Sequence, residues 1–334
     1  MHVITSAPGK ITLFGEHAVV YGEPALVTSI DKRVFVKLRL RDDKAIKISA
    51  LDLHIPGLIV TLREGEVILE TDYGKVVPAI SYIKKAIELT ADYVGKFRGV
   101  DIEVTSDMPV GAGLGTSAAV AIATIYAYLQ ALKEELSKEE IARLGWRVEK
   151  EVQGMASPMD TSIATFGGFL YIKYRGSEVT LRRLKINTQL PLVIGYVERE
   201  FKTADMVRKV KVLYDKYPGI VKDIFSTIGK ITEEALRALE VGDVVKLGEL
   251  MNINQGLLDA IGVSNNKLST LVYVARAAGA LGAKLTGAGG GGCVIALAPG
   301  RSKEVAVAMR LAGARTIDTN IGGEGVRVEK VINA

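Results

Sequence analysis

The sequence predicts an α+β protein made of two domains. Three observations support this prediction. β-branched strand patterns dominate the first part of the chain, long helical patterns dominate the later part, and a polar segment near residue 185 separates the two. A length of 334 residues is enough for two domains of ordinary size. We therefore expect one domain over residues 1–185 and a second over residues 186–334.

The first domain should begin with strands and continue with helices. Four segments carry alternating or β-branched residues and are expected to be strands: HVITSAPGKITLFG, RVFVKLRL, IKISALDLHI and VDIEVTSDM. Residues 78–95 have helical spacing and end on glycine, which is typical of a helix C-terminus. A long apolar helix is expected over residues 117–136. The next helix should begin at Ser137, because Ser137 and Glu140 have the spacing of a capping box.

The second domain should contain more helix. GGFLYIKY and LPLVIGYVER are expected to be strands on either side of the polar segment. Three helical patterns follow, in DIFSTIGKITEEALRAL, DVVKLGELMNINQGLLDAI and NKLSTLVYVARAAGA. A glycine-rich turn then precedes the strand CVIALA, the helix SKEVAVAMRLAG and the closing strand GVRVEKVI.

Composition excludes several classes of function. The formal net charge is +5, and lysine and arginine alternate with acidic residues instead of forming a basic stripe, so we expect no nucleic-acid partner. The single cysteine, Cys293, excludes an intrachain disulfide and favours a reducing cytoplasm. One cysteine and three histidines are also too few ligands for a structural zinc site.

No membrane association is expected from the apolar segments. The N-terminus lacks a basic region followed by an apolar run, so no signal peptide is predicted. The longest uncharged stretch, residues 108–132, contains a proline and three glycines, and its helical part is too short to cross a bilayer.

A glycine loop at residues 109–120, PVGAGLGTSAAV, is the first chemical signal. Glycines let backbone N–H groups converge on a phosphate, and the following helix N-terminus adds unpaired donors and a favourable dipole. The loop differs from the Walker A pattern because no lysine follows Gly115, and from the dinucleotide pattern because Thr116 stands where a glycine is required. The alternative interpretation is a tight turn before a buried helix.

A second glycine cluster lies at residues 284–297, KLTGAGGGGCVIAL. Gly287, Gly289 and Gly292 satisfy the dinucleotide pattern, but an apolar strand follows them instead of a helix, so the match is spurious. Such a cluster indicates a place where two backbones, or a backbone and a ligand, approach closely.

Together with APGKITLFGEHAVVYG at residues 7–22, these two glycine segments resemble the GHMP small-molecule kinases in order and separation. The resemblance spans the chain. It implies an N-terminal α+β domain with a left-handed βαβ unit, a C-terminal ferredoxin-like domain, and a ligand cleft between them. The form of the first motif, with NINQGLLDAIGVS and FKTADMV, is similar to the mevalonate kinase branch of that family.

This resemblance implies a reaction as well as a fold. ATP with Mg²⁺ would phosphorylate the 5-hydroxyl of (R)-mevalonate, and two copies of the chain could form a homodimer. A kinase for phosphomevalonate, homoserine or a sugar is the nearest alternative. A silent sensor or a decarboxylase on the same fold is an alternative of another class.

Site residues follow from the same resemblance. Asp160 would be the catalytic base or orienting carboxylate, with Lys10 beside it, and Ser117 and Glu149 would bind Mg²⁺. Glu16, His17 and Thr203 would bind the substrate. The residues that would wrap the ATP phosphates are Asp107, Met108, Pro109, Val110, Gly111, Ala112, Gly113, Leu114, Gly115, Thr116 and Ser117.

Each assignment has a structural alternative. Helical geometry does not choose between Glu149 and Glu151, which lie on opposite rims of the apolar stripe, and family spacing alone selects Glu149. Asp160 has the position of an ordinary helix N-cap. Lys10 has that of a strand-edge lysine. The presence of Lys10, Asp160, Ser117 and Glu149 together argues against a silent descendant.

Overall fold

The computed structural model contains two β-sheets with helices packed on them. The first sheet is formed mainly by residues before 185 and the second by residues after 190. The structure describes residues 2–50, 59–63, 66–70, 78–109, 112–154, 156–175, 178–201 and 203–332.

Within these described residues, the first sheet has nine strands. They are β1 (His2–Phe14), β2 (Ala25–Leu40), β3 (Ile46–Ala50), β4 (Ile59–Arg63), β5 (Glu66–Glu70), β6 (Val100–Ser106), β7 (Phe169–Arg175), β8 (Glu178–Leu184) and β13 (Arg327–Ile332). The main order is β13-β1-β2-β6-β3-β4-β5, while β7 pairs with the beginning of β2 and β8 pairs with β7. The pairing of β3 with β6 is parallel and all other pairings in this sheet are antiparallel.

Four helices cover this sheet: α1 (Pro78–Val94), α2 (Thr116–Leu132), α3 (Lys138–Gln153) and α4 (Met159–Phe166). Helix α2 packs against β1 and β2 and is buried along almost its whole length. This confirms the predicted buried helix, although it ends four residues earlier than expected. Lys133 adopts a left-handed φ of 59° there, as the apolar run gives way to charged residues.

The second sheet has four antiparallel strands: β9 (Leu192–Val197), β10 (Gly282–Thr286), β11 (Gly292–Leu297) and β12 (Arg315–Ile317). Their order is β10-β11-β9-β12, which is the strand order of a ferredoxin-like domain. The first crossover is enlarged to four helices and the second is α9 (Ser302–Leu311). The four helices are α5 (Thr203–Lys216), α6 (Pro218–Val241), α7 (Val244–Ala260) and α8 (Asn266–Ala277).

The structure agrees with several local predictions and corrects others. The capping box is present, because Ser137 and Glu140 exchange hydrogen bonds at the start of α3. The polar segment near residue 185 is not all connection, since β8 lies in it and pairs with β7. The closing strand was assigned to the second domain (residues 186–334), but it pairs with β1 and so lies in the first sheet. The boundary between residues 185 and 186 stays a prediction.

Within the described ranges, no helix is both long and apolar enough to cross a membrane.

Candidate active site

The first feature of the site is an ion pair between β1 and α4. Nζ of Lys10 lies 3.3 Å from Oδ1 of Asp160 and donates a hydrogen bond to Oγ1 of Thr12 at 3.2 Å. The lysine side chain is 5% exposed and the aspartate side chain 27%, so the carboxylate faces an open side of the pair. Asp160 lies inside the first turn of α4, and the N-cap position is held by Pro158. The aspartate therefore does not serve as the N-cap.

The second feature joins the start of α2 to α3. Oγ of Ser117 donates a hydrogen bond to Oε1 of Glu149 at 3.2 Å, and Glu149 is buried. Burial, together with the negative charge of nearby Asp160, raises the pKa of Glu149 to about 8. Glu151 lies instead on the surface, where it pairs with Arg147 and Lys85. Of the two glutamates between which the helical pattern could not choose, Glu149 faces Ser117.

The first glycine loop packs directly on Lys10. The backbone N–H of Lys10 donates to the carbonyl of Leu114 at 2.7 Å. Gly115 has a left-handed φ of 75°, and a Cβ at that position would lie 2.8 Å from Cγ of Lys10. The lysine side chain therefore passes beside the N-terminus of α2, where the helix dipole favours an anion. Val110 and Gly111, which were predicted to bind phosphate, lie outside the described residues.

The second glycine cluster faces the first. A Cβ on Gly287 would lie 3.3 Å from the carbonyl oxygen of Gly113, and a Cβ on Gly292 would lie 3.1 Å from that of Ala112. The close backbone approach that the sequence indicated is therefore an approach of the two glycine segments to each other, across the junction of the two sheets.

Arg199, which follows β9, is a site residue that the sequence analysis missed. Its Nη1 donates to Oγ1 of Thr203 at 2.8 Å, and a Cβ on Gly113 would lie 2.4 Å from its Nη2. Nε is buried without a hydrogen-bond partner among the described residues, and burial lowers the pKa of this guanidinium. The signal that could have identified it is an arginine two positions after the end of a buried strand and four positions before Thr203.

Glu16 and His17 join the first motif to the second sheet. Glu16 forms a buried ion pair with Lys284 on β10. Nε2 of His17 donates to the carbonyl of Ala288 at 2.9 Å, and burial lowers the pKa of the imidazole, which keeps it neutral. His17 has a φ of 59°, a strained value for a residue with a side chain. Contact of either residue with a substrate stays a prediction.

The protein ligands for a metal ion are few. Among the residues that the structure describes, no group of three or more histidine, cysteine or acidic side chains could hold one. Ser117 and Glu149 supply one hydroxyl and one carboxylate, a set that suits Mg²⁺ only if phosphate oxygens and water complete its shell. A separate groove of about 480 Å³, lined in part by Phe169, Arg183 and Glu324, contains none of the predicted site residues.

The chain matches a known family of proteins over most of its length. Residues 81–168 match the family described as GHMP kinases N terminal domain, and residues 234–315 match GHMP kinases C terminal. The chain is 49% identical to the mevalonate kinase of Pyrococcus abyssi over 98% of each chain.

Solved structures agree with the sequence relatives. The mevalonate kinase of Methanococcus jannaschii has a TM-score of 0.77 at 32% identity, and the match covers 99% of each chain. The L. major mevalonate kinase, solved in complex with R-mevalonate, has a TM-score of 0.76 at 27% identity over 92% of this chain and 90% of that one. The chain therefore belongs to the GHMP kinase family and, within it, to the mevalonate kinases.

Proposed function

We propose that this protein transfers the terminal phosphoryl group of ATP to the 5-hydroxyl of (R)-mevalonate and forms 5-phosphomevalonate. The observation that carries the proposal is the Lys10–Asp160 ion pair, which lies beside the N-terminus of α2 and the two facing glycine segments. Phosphoryl transfer to an alcohol needs bound phosphates, neutralised charge and a hydroxyl held in line, and these groups can meet all three needs.

The ATP phosphates would lie on the first glycine loop, over residues 107–117. The loop has no lysine of its own, so backbone N–H groups and the N-terminus of α2 would supply its attraction for phosphate. Lys10 and Arg199 add side-chain cations from β1 and from the end of β9. Guanidinium and ammonium groups stabilise the charge on a phosphoryl group during transfer.

Mg²⁺ would be held by Ser117 and Glu149. The fit rests on Glu149, a buried carboxylate that hydrogen-bonds to Ser117 and has no ion-pair partner within the described residues. A buried carboxylate of this kind is stabilised in its charged form by a cation. When bound, Mg²⁺ would neutralise charge on the phosphates of ATP.

Asp160 and Lys10 would act on the acceptor hydroxyl. The open side of the Asp160 carboxylate can accept the hydroxyl proton and orient the oxygen toward the phosphate. A carboxylate is a weak base for an alcohol, so the neighbouring ammonium of Lys10 must lower the pKa of the bound hydroxyl. Glu16, His17 and Thr203 would form the substrate side of the cleft. We expect the reaction to take place in the cytoplasm, with the enzyme able to work as a homodimer.

An assay of acceptor choice tests the proposed function. Purified protein with Mg·ATP is supplied with mevalonate, phosphomevalonate, homoserine or galactose, and ADP release is followed. We expect the highest kcat/KM with mevalonate. A higher kcat/KM with any other acceptor would reject mevalonate as the substrate, although the protein would still be an ATP-dependent kinase.

The raised pKa of Glu149 predicts a pH dependence for metal binding. The carboxyl is protonated below about pH 8 and must ionise to bind Mg²⁺. Affinity for an Mg²⁺ complex of a non-hydrolysable ATP analogue should therefore rise with pH by up to about tenfold per unit and level off above that pKa. Isothermal titration calorimetry between pH 6 and pH 9 measures it, with the metal-free analogue as reference.

The same group predicts how the metal-free protein responds to pH. The folded pKa lies above that of the unfolded chain, so the folded state holds the proton longer and stability falls as pH rises from about 4.5 to about 8. Glu149→Gln should remove both effects. Glu151→Gln, on the surface of the same helix, should retain them. An unchanged pH profile in Glu149→Gln would assign the effects to another group.

Arg199→Met is expected to lower kcat by about a hundredfold, because it removes a cation placed between the two glycine segments. Arg199→Lys should recover part of the loss, since it keeps the charge without the planar group. Steady-state kinetics measure both. Arg208→Met is the matched control, as Arg208 lies on the exposed side of α5 and pairs with Asp205. Equal activity of the Arg199 and Arg208 variants would place Arg199 outside the reaction.

A further inference from the structure

Helix α7 carries three amide side chains that contact the second sheet and the first motif. Asn252 donates to the carbonyl of Leu281 at 3.0 Å and accepts from the N–H of Ala283 at 3.1 Å. Gln255 accepts from the N–H of Leu285 at 2.8 Å. These two residues fix the helix to the backbone of β10 and of Leu281, the residue before it.

Asn254 differs from its two neighbours because it reaches the first motif instead of the β10 backbone. Its Nδ2 donates to Oε2 of Glu16 at 3.4 Å, and the residue is completely buried. The other carboxylate oxygen of Glu16 is held by Lys284, which is completely buried as well and also donates to the carbonyl of Leu285 at 2.7 Å. Both oxygens of Glu16 are therefore held from the second sheet and its helix.

The Glu16–Lys284 pair lies close to the Lys10–Asp160 pair. Thr12 on β1 and Thr286 on β10 join the two strands. The backbone N–H of Thr12 donates to Oγ1 of Thr286 at 3.0 Å, and that hydroxyl donates to the carbonyl of Thr12 at 2.9 Å. Lys10 and Lys284 flank this contact on the two strands, close enough for their charges to interact. Each buried lysine is compensated by one carboxylate. Movement of Glu16 would therefore change the charge distribution of the cleft as well as its shape.

Asn254 is a poor choice for packing alone. Its Oδ1 is buried and has no hydrogen-bond partner among the described residues. A buried amide oxygen left unpaired costs stability, and an apolar side chain of similar size avoids that cost. What the amide contributes at this position is the hydrogen bond to Glu16.

We propose that Asn254 is a positioning residue for the phosphoryl acceptor, which acts by holding the Glu16 carboxylate in one orientation between α7 and β10. This inference rests on the proposed function, in which Glu16 belongs to the substrate side of the cleft. The inference gives a role to residues 252–255 of α7 (NINQ), whose similarity to the same segment of other kinases does not by itself explain what the segment does.

Asn254→Leu tests the role, because leucine has the same branched arrangement of heavy atoms and removes both the donor and the unpaired oxygen. With the acceptor that the wild-type enzyme phosphorylates, KM for the acceptor should rise by about tenfold. KM for ATP should stay within about twofold. Asn252→Leu is the matched control: it removes two hydrogen bonds between α7 and β10 without contacting Glu16, so it should lower the melting temperature and leave both KM values unchanged.

Three results would overturn the inference: an unchanged acceptor KM in Asn254→Leu, an equal rise in both KM values, or the same kinetic change in Asn252→Leu. Asn254→Ser provides a second variant if the leucine does not fold, because its shorter hydroxyl cannot reach Glu16, and the same selective rise is expected. Failure of the wild-type enzyme to prefer mevalonate would reject the proposed substrate instead. In that case the KM values of the Asn254 variants are measured for ATP and for the acceptor that the wild-type enzyme phosphorylates.

Discussion

Asp160→Asn is expected to lower kcat by about a thousandfold while the affinity for ATP stays close to that of the wild type. The amide has almost the same shape as the carboxylate but cannot accept a proton from the acceptor hydroxyl. Because the ion-pair partner of Asp160 is Lys10 and the amide keeps the shape of the side chain, the nucleotide side of the cleft should be preserved. Single-turnover kinetics and titration calorimetry with a non-hydrolysable ATP analogue measure the two quantities separately.

Asp205→Asn is the matched control for this substitution. Asp205 also lies in the first turn of a helix, α5, but it is exposed and pairs with Arg208. Its amide variant should retain normal turnover. Near-normal activity in Asp160→Asn would remove Asp160 from the chemical step. A loss of ATP affinity equal to the loss of kcat would indicate a structural role instead.

Local patterns predicted most of the elements, because their signals lie within a few residues. The capping box at Ser137 and Glu140 is complete within four positions of the chain, and the structure confirms it. The apolar run that forms α2 is equally local. The order of the ferredoxin-like strands came from family resemblance, since no pattern within one strand specifies its neighbours.

Long-range pairing escaped the sequence analysis. The closing strand was expected in the second domain, yet β13 pairs with β1 near the start of the chain. Nothing in its own residues distinguishes one sheet edge from another. The same limit applies to Arg199, whose place between two glycine segments depends on how the two sheets meet.

Part of the candidate site could be predicted, because some of its residues lie in short motifs, but the surroundings of each residue depend on the fold. The first motif contains Lys10, the first glycine loop contains Ser117, and the family resemblance added Asp160; the structure brings these residues to one region. Helical spacing did not choose between Glu149 and Glu151, family spacing selected Glu149, and the structure shows the physical difference: Glu149 is buried beside Ser117, while Glu151 pairs with surface lysine and arginine. Side-chain burial, and not helical spacing, distinguishes the two.

Lys10→Met should lower kcat by about a hundredfold or more. Methionine keeps much of the packing beside Gly115 but removes the ammonium that lies 3.3 Å from Asp160. The negative charges of Asp160 and Glu149 interact, and in this variant the ammonium of Lys10 would no longer offset their repulsion. Because Lys10 opposes the rise in the pKa of Glu149, Mg²⁺ binding should also weaken at neutral pH. Lys37→Met, which alters an exposed lysine on β2, is the control and should have normal activity.

The combined variant Lys10→Met/Asp160→Asn determines whether the two residues act as one unit. If the ammonium works by holding the carboxylate in place and by lowering the pKa of the acceptor hydroxyl that transfers its proton to it, the ammonium has little left to do once the carboxylate is gone. The double variant should then be no more than about tenfold slower than Asp160→Asn, instead of showing the product of the two single losses. Melting temperatures establish that all three variants are folded, since loss of one partner from a buried pair also costs stability. Fully multiplicative losses would mean that Lys10 acts only on the phosphates and that its effect does not depend on Asp160.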